Sequence, residues 1–542
     1  MNISKRFFSK PTTSRIAGFI TLLFMTSGTG AAVHAQTSFW SNQNGGLYES
    51  PANWVGGVPD DNNNAMFSLL GEYTVEFSTN PTVNQLTVTA ASQPTFTVAG
   101  TEMDDRLFTV NTDALLNSSL ILDSVAGGGN MIMTVGGKLE VNTELMVLNG
   151  AQITSNTLDA NDENILLRGV GADGSPSMIS TGSLHIENSI RVENGAMLTS
   201  DDVFHTSSVV VDGPGSTWSI NGTSVWGGDM NLSNDISIIF IDDNAHVSNG
   251  TTFIANASGN QTLVALDFIA SAQNASSSWT SSGDVFLGGD QSNSRGQGTI
   301  DMGRNSRLEI AGMLKIWDDS EVLMGGNSTL VADSVDNSAG GVFQFSSGSL
   351  QVNQFVGDLE TQNGILDPGG PEAGSTSILG TFTHGEDSTL AIDIGGTMQG
   401  GTYDVVSGGL ALLQGELNVA LINGFVPGPT DEFTVLLSSN IVGELANAPS
   451  GQRLQTAGGS GSFIVNYGIG SPFDASRIVL SDFEAGGFVL GDINGDGSVD
   501  LLDVTPFVDA VTAGTNNPAA DINQDGAVDL LDVAPFVALL IG

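Results

Sequence analysis

The chain has 542 residues, 70 of them glycine, a formal net charge of −45 and no cysteine. The length exceeds one ordinary compact domain, so at least two units are expected. The missing thiols exclude disulfides, zinc–thiolate sites and cysteine nucleophiles, and the acidity excludes nucleic acid and anionic membrane as partners.

Residues 1–35 read as an export signal. Lys5, Arg6, Lys10 and Arg15 give a positive start, Ile16 to Met25 an apolar run, and Val33-His34-Ala35 the small residues of a cleavage site. An uncleaved anchor is the alternative, but the run is short of the roughly 20 apolar residues that span a bilayer. Cleavage after Ala35 is therefore expected, with no membrane span afterwards and a secreted, extracellular or cell-surface product. It removes 4 of the 14 Lys+Arg and none of the 59 Asp+Glu, leaving 10 basic and 59 acidic groups and a charge of −49. Such a surface attracts divalent cations and suits salty water, where screening softens self-repulsion.

Over residues 36–360, Val, Ile, Leu, Thr and Phe come in short runs split by Gly, Asn and Asp, which signals many short strands and tight turns. One pattern recurs: a turn pair, a small or polar residue, then two apolar residues separated by one. It appears at Gly136-Gly137, Asn149-Gly150, Asn194-Gly195, Asn305-Ser306, Asn327-Ser328 and Ser347-Gly348. The intervals from Asn305 to Asn327 and from Asn327 to Ser347 are nearly equal, and that from Asn149 to Asn194 is about two such steps. A step of roughly 20 residues fits one turn of a right-handed parallel β-helix, a solenoid in which stacked coils bury a continuous core. Leu308 and Ile310 then point inward, and Arg307 and Glu309 outward. An array of β-sandwiches has turns at similar spacing; the regular step and the recurring Asn favour the solenoid.

A longer repeat overlies the first. Ser216-Thr217-Trp218 and Ser277-Ser278-Trp279 each run on to a glycine pair, Gly227-Gly228 and Gly288-Gly289, at the same distance from the tryptophan. This resembles the Gly-Ser-x-Trp repeats of bacterial autotransporter-like β-helix proteins, and Asn53-Trp54-Val55-Gly56-Gly57-Val58-Pro59 resembles the start of secreted passengers of that group. The tryptophans invite sugar stacking; packing between coils is the competing role.

From 361 to 487 the texture shifts. After Asp367-Pro368-Gly369-Gly370 come longer alternating runs at 389–394, 415–421 and 431–436. The stretch resembles the region that closes the C-terminal end of autotransporter-like passengers, where an open solenoid end needs a cap. Glu484 to Gly487 reads as a linker.

Residues 488–542 carry the most specific signal. Asp492, Asn494, Asp496, Asp500 and Asp503 place oxygen side chains at positions 1, 3, 5, 9 and 12 of a twelve-residue loop, with Gly497 at position 6 and the Ser498 carbonyl at position 7. Calcium takes six to eight oxygen ligands in a flexible shell, and the glycine permits the sharp turn. Asp503 is expected to close the shell with both oxygens. The loop recurs downstream as Asp521, Asn523, Asp525, Ala527 (carbonyl), Asp529 and Asp532, and 14 of the 17 positions from Asp492 to Val508 match Asp521 to Val537. Two tandem copies in register make chance a poor explanation. No helix is expected before the first loop; helices are expected after each, from Leu501 to Val511 and from Leu530 onward, with Pro506 and Pro535 near their starts. Loop plus exiting helix, twice, resembles the type I dockerin domain, whose tails on β-rich secreted proteins are similar to those of planctomycete-type bacteria. The resemblance implies two Ca²⁺ ions, folding coupled to metal, and docking on a cohesin-like or cell-surface protein. Where dockerins often have polar pairs at positions 10 and 11, this chain has Leu501-Leu502 and Leu530-Leu531, which either form an apolar docking face or pack inward.

Dockerins often accompany polysaccharide-degrading enzymes, so a glycoside hydrolase or polysaccharide lyase is the alternative to an attachment, scaffolding or glycan-binding protein. No pattern of a β-helical hydrolase or lyase is present among the few basic residues. Asp104-Asp105, Asp201-Asp202, Asp242-Asp243 and Asp318-Asp319 read as turn residues, and His185, His205, His246 and His384 lack metal-ligand spacing. No catalytic residue is assigned.

Overall fold

The computed structural model describes residues 35–540 apart from 90, 101–103, 125–128, 162–163, 206–207, 227–235, 268–275, 487–489, 495–497, 514–516, 518 and 524–526. The expected export signal, Gly227-Gly228, Asp496 and Asp525 thus lie outside the described residues. The protein is mainly β, with parallel sheets and short helices near its C-terminus. No helix among the described residues is long and apolar enough to cross a membrane.

Strands join the two sheets in turn. Met131–Val141 belongs to the larger sheet, Leu145–Leu148 to the smaller and Gln152–Ala160 to the larger again, and each pairs in parallel with its counterpart one circuit on. One column of paired positions runs Ile132, Gln152, Met178, Met197, Thr217, His246, Ser278, Arg307, Thr329, Ser349. The step between partners is shortest from Met178 to Met197 and longest from His246 to Ser278. This parallel pairing removes the sandwich alternative, whose sheets are antiparallel. The interval from Asn149 to Asn194 is two unequal circuits, the longer one first.

Alternation sets the core. In Arg307–Ile316, Leu308, Ile310, Leu314 and Ile316 are buried, while Arg307 and Glu309 face outward and pair with each other. Each such aliphatic side chain contributes about 1.5–3 kcal/mol of burial. The recurring asparagines act as turn residues: Asn149, Asn194 and Asn327 hold φ of 55°, 56° and 64° just before their strands. Before Arg307 it is Arg304, at φ 44°, that makes the left-handed turn instead of Asn305. Gly136-Gly137 differs from the other copies of the pattern. It sits inside a strand, where the register shifts between Val135 and Lys138, and a Cβ on Gly136 would lie 2.4 Å from the Asn111 carbonyl oxygen.

Aromatic rings fill both ends. Trp40, Tyr48, Trp54, Phe67 and Phe77 pack at ring distances of 5.0–5.9 Å, and Thr37–Trp40 pairs antiparallel with Trp54–Val55. Asn53 donates to the Leu47 carbonyl and Trp54 to the Tyr48 carbonyl, so the motif at 53–59 fastens this first end. The parallel register does not stop where the sequence texture changes at 361. It continues through Ile365, Thr389 and Glu416 and through the pairing of Val405–Leu413 with Phe433–Gly443. Antiparallel closure comes later: Phe433–Gly443 pairs with Arg477–Ala485, which pairs with Gly461–Asn466. Glu484 and Ala485, expected in a linker, end that last strand instead.

Candidate calcium-binding module

Between residues 490 and 540 the sequence builds two copies of one local structure. After the first loop, Leu501–Asp503 forms a 3-10 turn and Val504–Ala513 an α-helix (α1); after the second, Val533–Leu540 forms an α-helix (α2). Each α-helix starts later than the sequence suggested, at Val504 instead of Leu501 and at Val533 instead of Leu530. In the first copy a capping box starts the 3-10 turn at Leu501, which leads directly into α1: Asp500 accepts from the Leu502 amide, and Asp503 accepts from the Asp500 amide. Pro506 and Pro535 fall in the first helical turns, where an amide donor is not needed. Phe507 and Phe536 stack at 4.0 Å and join the two copies through a small core with Ala510, Ala520, Ile522 and Val528.

The position-12 residues organise the loops. Asp503 and Asp532 are both fully buried. Asp503 Oδ1 accepts from the Ile493 and Asn494 amides at 2.7 and 2.9 Å, and Oδ2 from the Asp500 amide at 3.0 Å. Asp532 repeats this: Oδ1 accepts from Asn523 and Oδ2 from Asp529, both at 3.0 Å. Both oxygens of Asp503, expected to close a metal shell together, accept backbone amides in this structure. Both lone pairs of Oδ1 are taken by amides, and the remaining lone pair is on Oδ2.

These bonds satisfy lone pairs without neutralising charge. Residues 488–542 contain nine aspartates and no lysine, arginine or histidine. Two fully buried carboxylates in such a segment have no side chain to balance them, and an unbalanced buried charge is costly. The donors are all oxygen, which fits a hard divalent cation and suits neither zinc nor copper. Asp492, Asn494, Ser498, Asp500 and Asp503 lie in one loop, and Asp521, Asn523, Ala527, Asp529 and Asp532 in the other. Among the described residues no three acidic or histidine side chains converge on one point; both position-5 aspartates lie outside that set. Leu501, Leu502, Leu530 and Leu531 do not pack inward: they are 81%, 67%, 79% and 66% exposed.

Elsewhere among the described residues, the acidic pairs serve the fold. Asp201, Asp202 and Asp105 fasten neighbouring turns by accepting from Asn221, the Thr223 amide and the Asn130 amide. Trp218, Trp226 and Trp279 are buried and pack together at 4.9–5.9 Å, so none offers a face to sugar. His384 is also buried, between Ser388 and the Glu416 carbonyl. One cluster escaped the sequence reading. Lys138 Nζ bridges Asp159 at 2.6 Å and Glu140 at 3.1 Å, and His185 Nδ1 meets Asp159 at 2.8 Å. Two carboxylates flank one ammonium, an arrangement in which a glycosidase would need one carboxyl protonated. Asp159, despite its partial desolvation, is held below the ordinary carboxylate value by Lys138 and His185, and Glu140 by Asn142 and Lys138. Both directions favour the charged form, as expected of a surface ion network. Lys138 and Glu140 share a face two residues apart on one strand, but only the register between strands brings Asp159 and His185 to them.

Residues 490–536 match the family model of the dockerin type I domain. No curated protein and no solved structure matches the chain. The C-terminal segment is thus a dockerin type I domain, of a family that binds calcium and docks on cohesin partners outside the cell or at its surface.

Proposed function

We propose that this is a secreted attachment protein, exported by its first 35 residues and tethered through its C-terminal dockerin by two Ca²⁺ ions. Its body would be a right-handed parallel β-helix over 36–360, similar to autotransporter passengers, closed by 361–487, with the dockerin at 488–542. The body serves adhesion or scaffolding; a polysaccharide contact would have to use groups other than tryptophan, since Trp317 is half-buried and the other five are buried. The observation that carries the reading is the pair of buried, cation-free carboxylates, Asp503 and Asp532. When bound, calcium supplies the missing positive charge. The ligands would be Asp492, Asn494, Asp496, the Ser498 carbonyl, Asp500 and Asp503 in the first loop. Asp521, Asn523, Asp525, the Ala527 carbonyl, Asp529 and Asp532 would serve in the second.

The exposed leucine pairs stand at equivalent positions of the two copies, and they form the docking face for a cohesin-like or cell-surface partner. Calorimetry on the whole protein should count about two Ca²⁺ per chain, and Asp492→Ala with Asp521→Ala should abolish binding. A double variant that still takes up both ions would refute the ligand assignment. Capture of a cell-envelope partner should require calcium and be lost with chelator.

A further inference from the structure

One outward face of the body is uncharged, in a chain whose formal net charge is −45. It belongs to the larger sheet, beginning at Arg106–Val110 and passing through Met131–Val141, Gln152–Ala160, Met178–Ile186 and Met197–His205 to Thr217–Ile220. These strands pair in parallel, so equivalent outward positions form straight rows along the stack of circuits. One row is all hydroxyl: Thr109, Thr134, Thr154, Ser180, Thr199 and Ser219. The row beside it, two residues earlier on each strand, holds Leu107, Ile132, Met178 and Met197, with Gln152 among them. Thr154 and Leu107 are exposed and the others half-buried. Ser219 accepts from Ser248 at 3.3 Å; the other five hydroxyls have no hydrogen-bond partner among the described residues. Neither row reaches a lysine, arginine, aspartate or glutamate before Arg307 and Glu309. Other outward positions differ. Around the bend of the same sheet stand Lys138, Glu140 and Asp159, and on the smaller sheet Arg168, Glu193 and Asp212.

We infer that this face is a docking strip for an extended neutral polysaccharide laid along the stack of circuits. The inference rests on reading the body as the adhesive part of the protein. A sugar ring presents C–H groups on its faces and hydroxyls at its rim. The apolar row meets the first, and the hydroxyl row, whose members both donate and accept, meets the second. Six rungs at about 4.8 Å span roughly 24 Å, and the two rows lie about 6.6 Å apart, so a chain of several sugar units fits lengthwise. Covering such a face strips water from no charge. An acidic glycan would approach a strongly negative protein with no cation in either row to hold it, and a second copy would bring an equal negative charge of its own.

The test is retention of the calcium-loaded full chain on insoluble cellulose, on chitin and on carboxymethylated cellulose. Retention is expected on at least one of the two neutral solids and not on the carboxymethylated one. Thr154→Glu sets a carboxylate at an exposed place in the hydroxyl row and should weaken retention about tenfold, because that charge loses water and gains no partner. Gln344→Glu, the same charge at an exposed position of the smaller sheet, should leave retention unchanged. So should Asp492→Ala with Asp521→Ala, which separates a failure of the calcium assignment from a failure of this one. No retention on either neutral solid overturns the inference. Equal retention on the carboxymethylated solid, indifference to Thr154→Glu, or loss with the calcium double variant does the same. A dimer that Thr154→Glu dissolves, without glycan retention, overturns it in favour of a second copy.

Discussion

The β-rich body and the C-terminal tail reach stability by opposite routes. In the body one core runs without a break from Trp40 to Phe483, and each circuit of chain finds its apolar partner in the circuits beside it. The tail, among its described residues, has a core of only six clustered buried apolar residues beside two buried carboxylates. A segment of this size cannot bury enough surface to stand on apolar packing alone. Added length can supply stability when each repeat completes its neighbour. Where no neighbour exists, the proposed calcium ions would take that role.

Removing calcium should separate the two regions most sharply. With chelator, protection from exchange should collapse over 490–540 and persist in Arg307–Ile316; a tail equally protected without metal would erase the contrast. Next in size is a cavity in the body. Leu308→Ala should cost about 2–5 kcal/mol, read as early local unfolding of the neighbouring circuits with calcium uptake unchanged. Asp532→Ala should reduce the stoichiometry to about one ion by calorimetry, because the two loops are built separately around Asp503 and Asp532. Smallest is Leu502→Ser, expected to change stability by no more than about 0.5 kcal/mol while weakening partner capture, since that side chain touches little of its own domain.

How far the residues announced this depends on the range of the interactions. The two loops were legible because the oxygen-bearing residues proposed as ligands lie within twelve consecutive positions and the same spacing is written twice. The circuit was legible between Asn305 and Val352, where connections are short and the step stays nearly constant. From Thr217 to Arg307 the steps lengthen, and the extra residues hide the period. Gly136-Gly137 imitated the repeat while serving as a bend within a strand. The orientation of Leu501-Leu502 was undecidable from sequence, because a leucine pair beside a helix start reads the same inside or out. The Lys138–Asp159–His185 network and the uncharged strip needed the register itself, which joins positions a full circuit apart.

The uneven placement of basic residues has a consequence for survival outside the cell. A protease that cuts after lysine or arginine meets its last site at Arg477, and Arg453, the one before it, is held against Asp482 and Glu484. Beyond Arg477, and throughout the stretch between Lys315 and Arg453, such an enzyme has nothing to recognise. Trypsin-like digestion would therefore leave the dockerin segment in one piece, and the same lack of basic residues that leaves Asp503 and Asp532 without a balancing side chain shields it from a whole class of degrading enzymes.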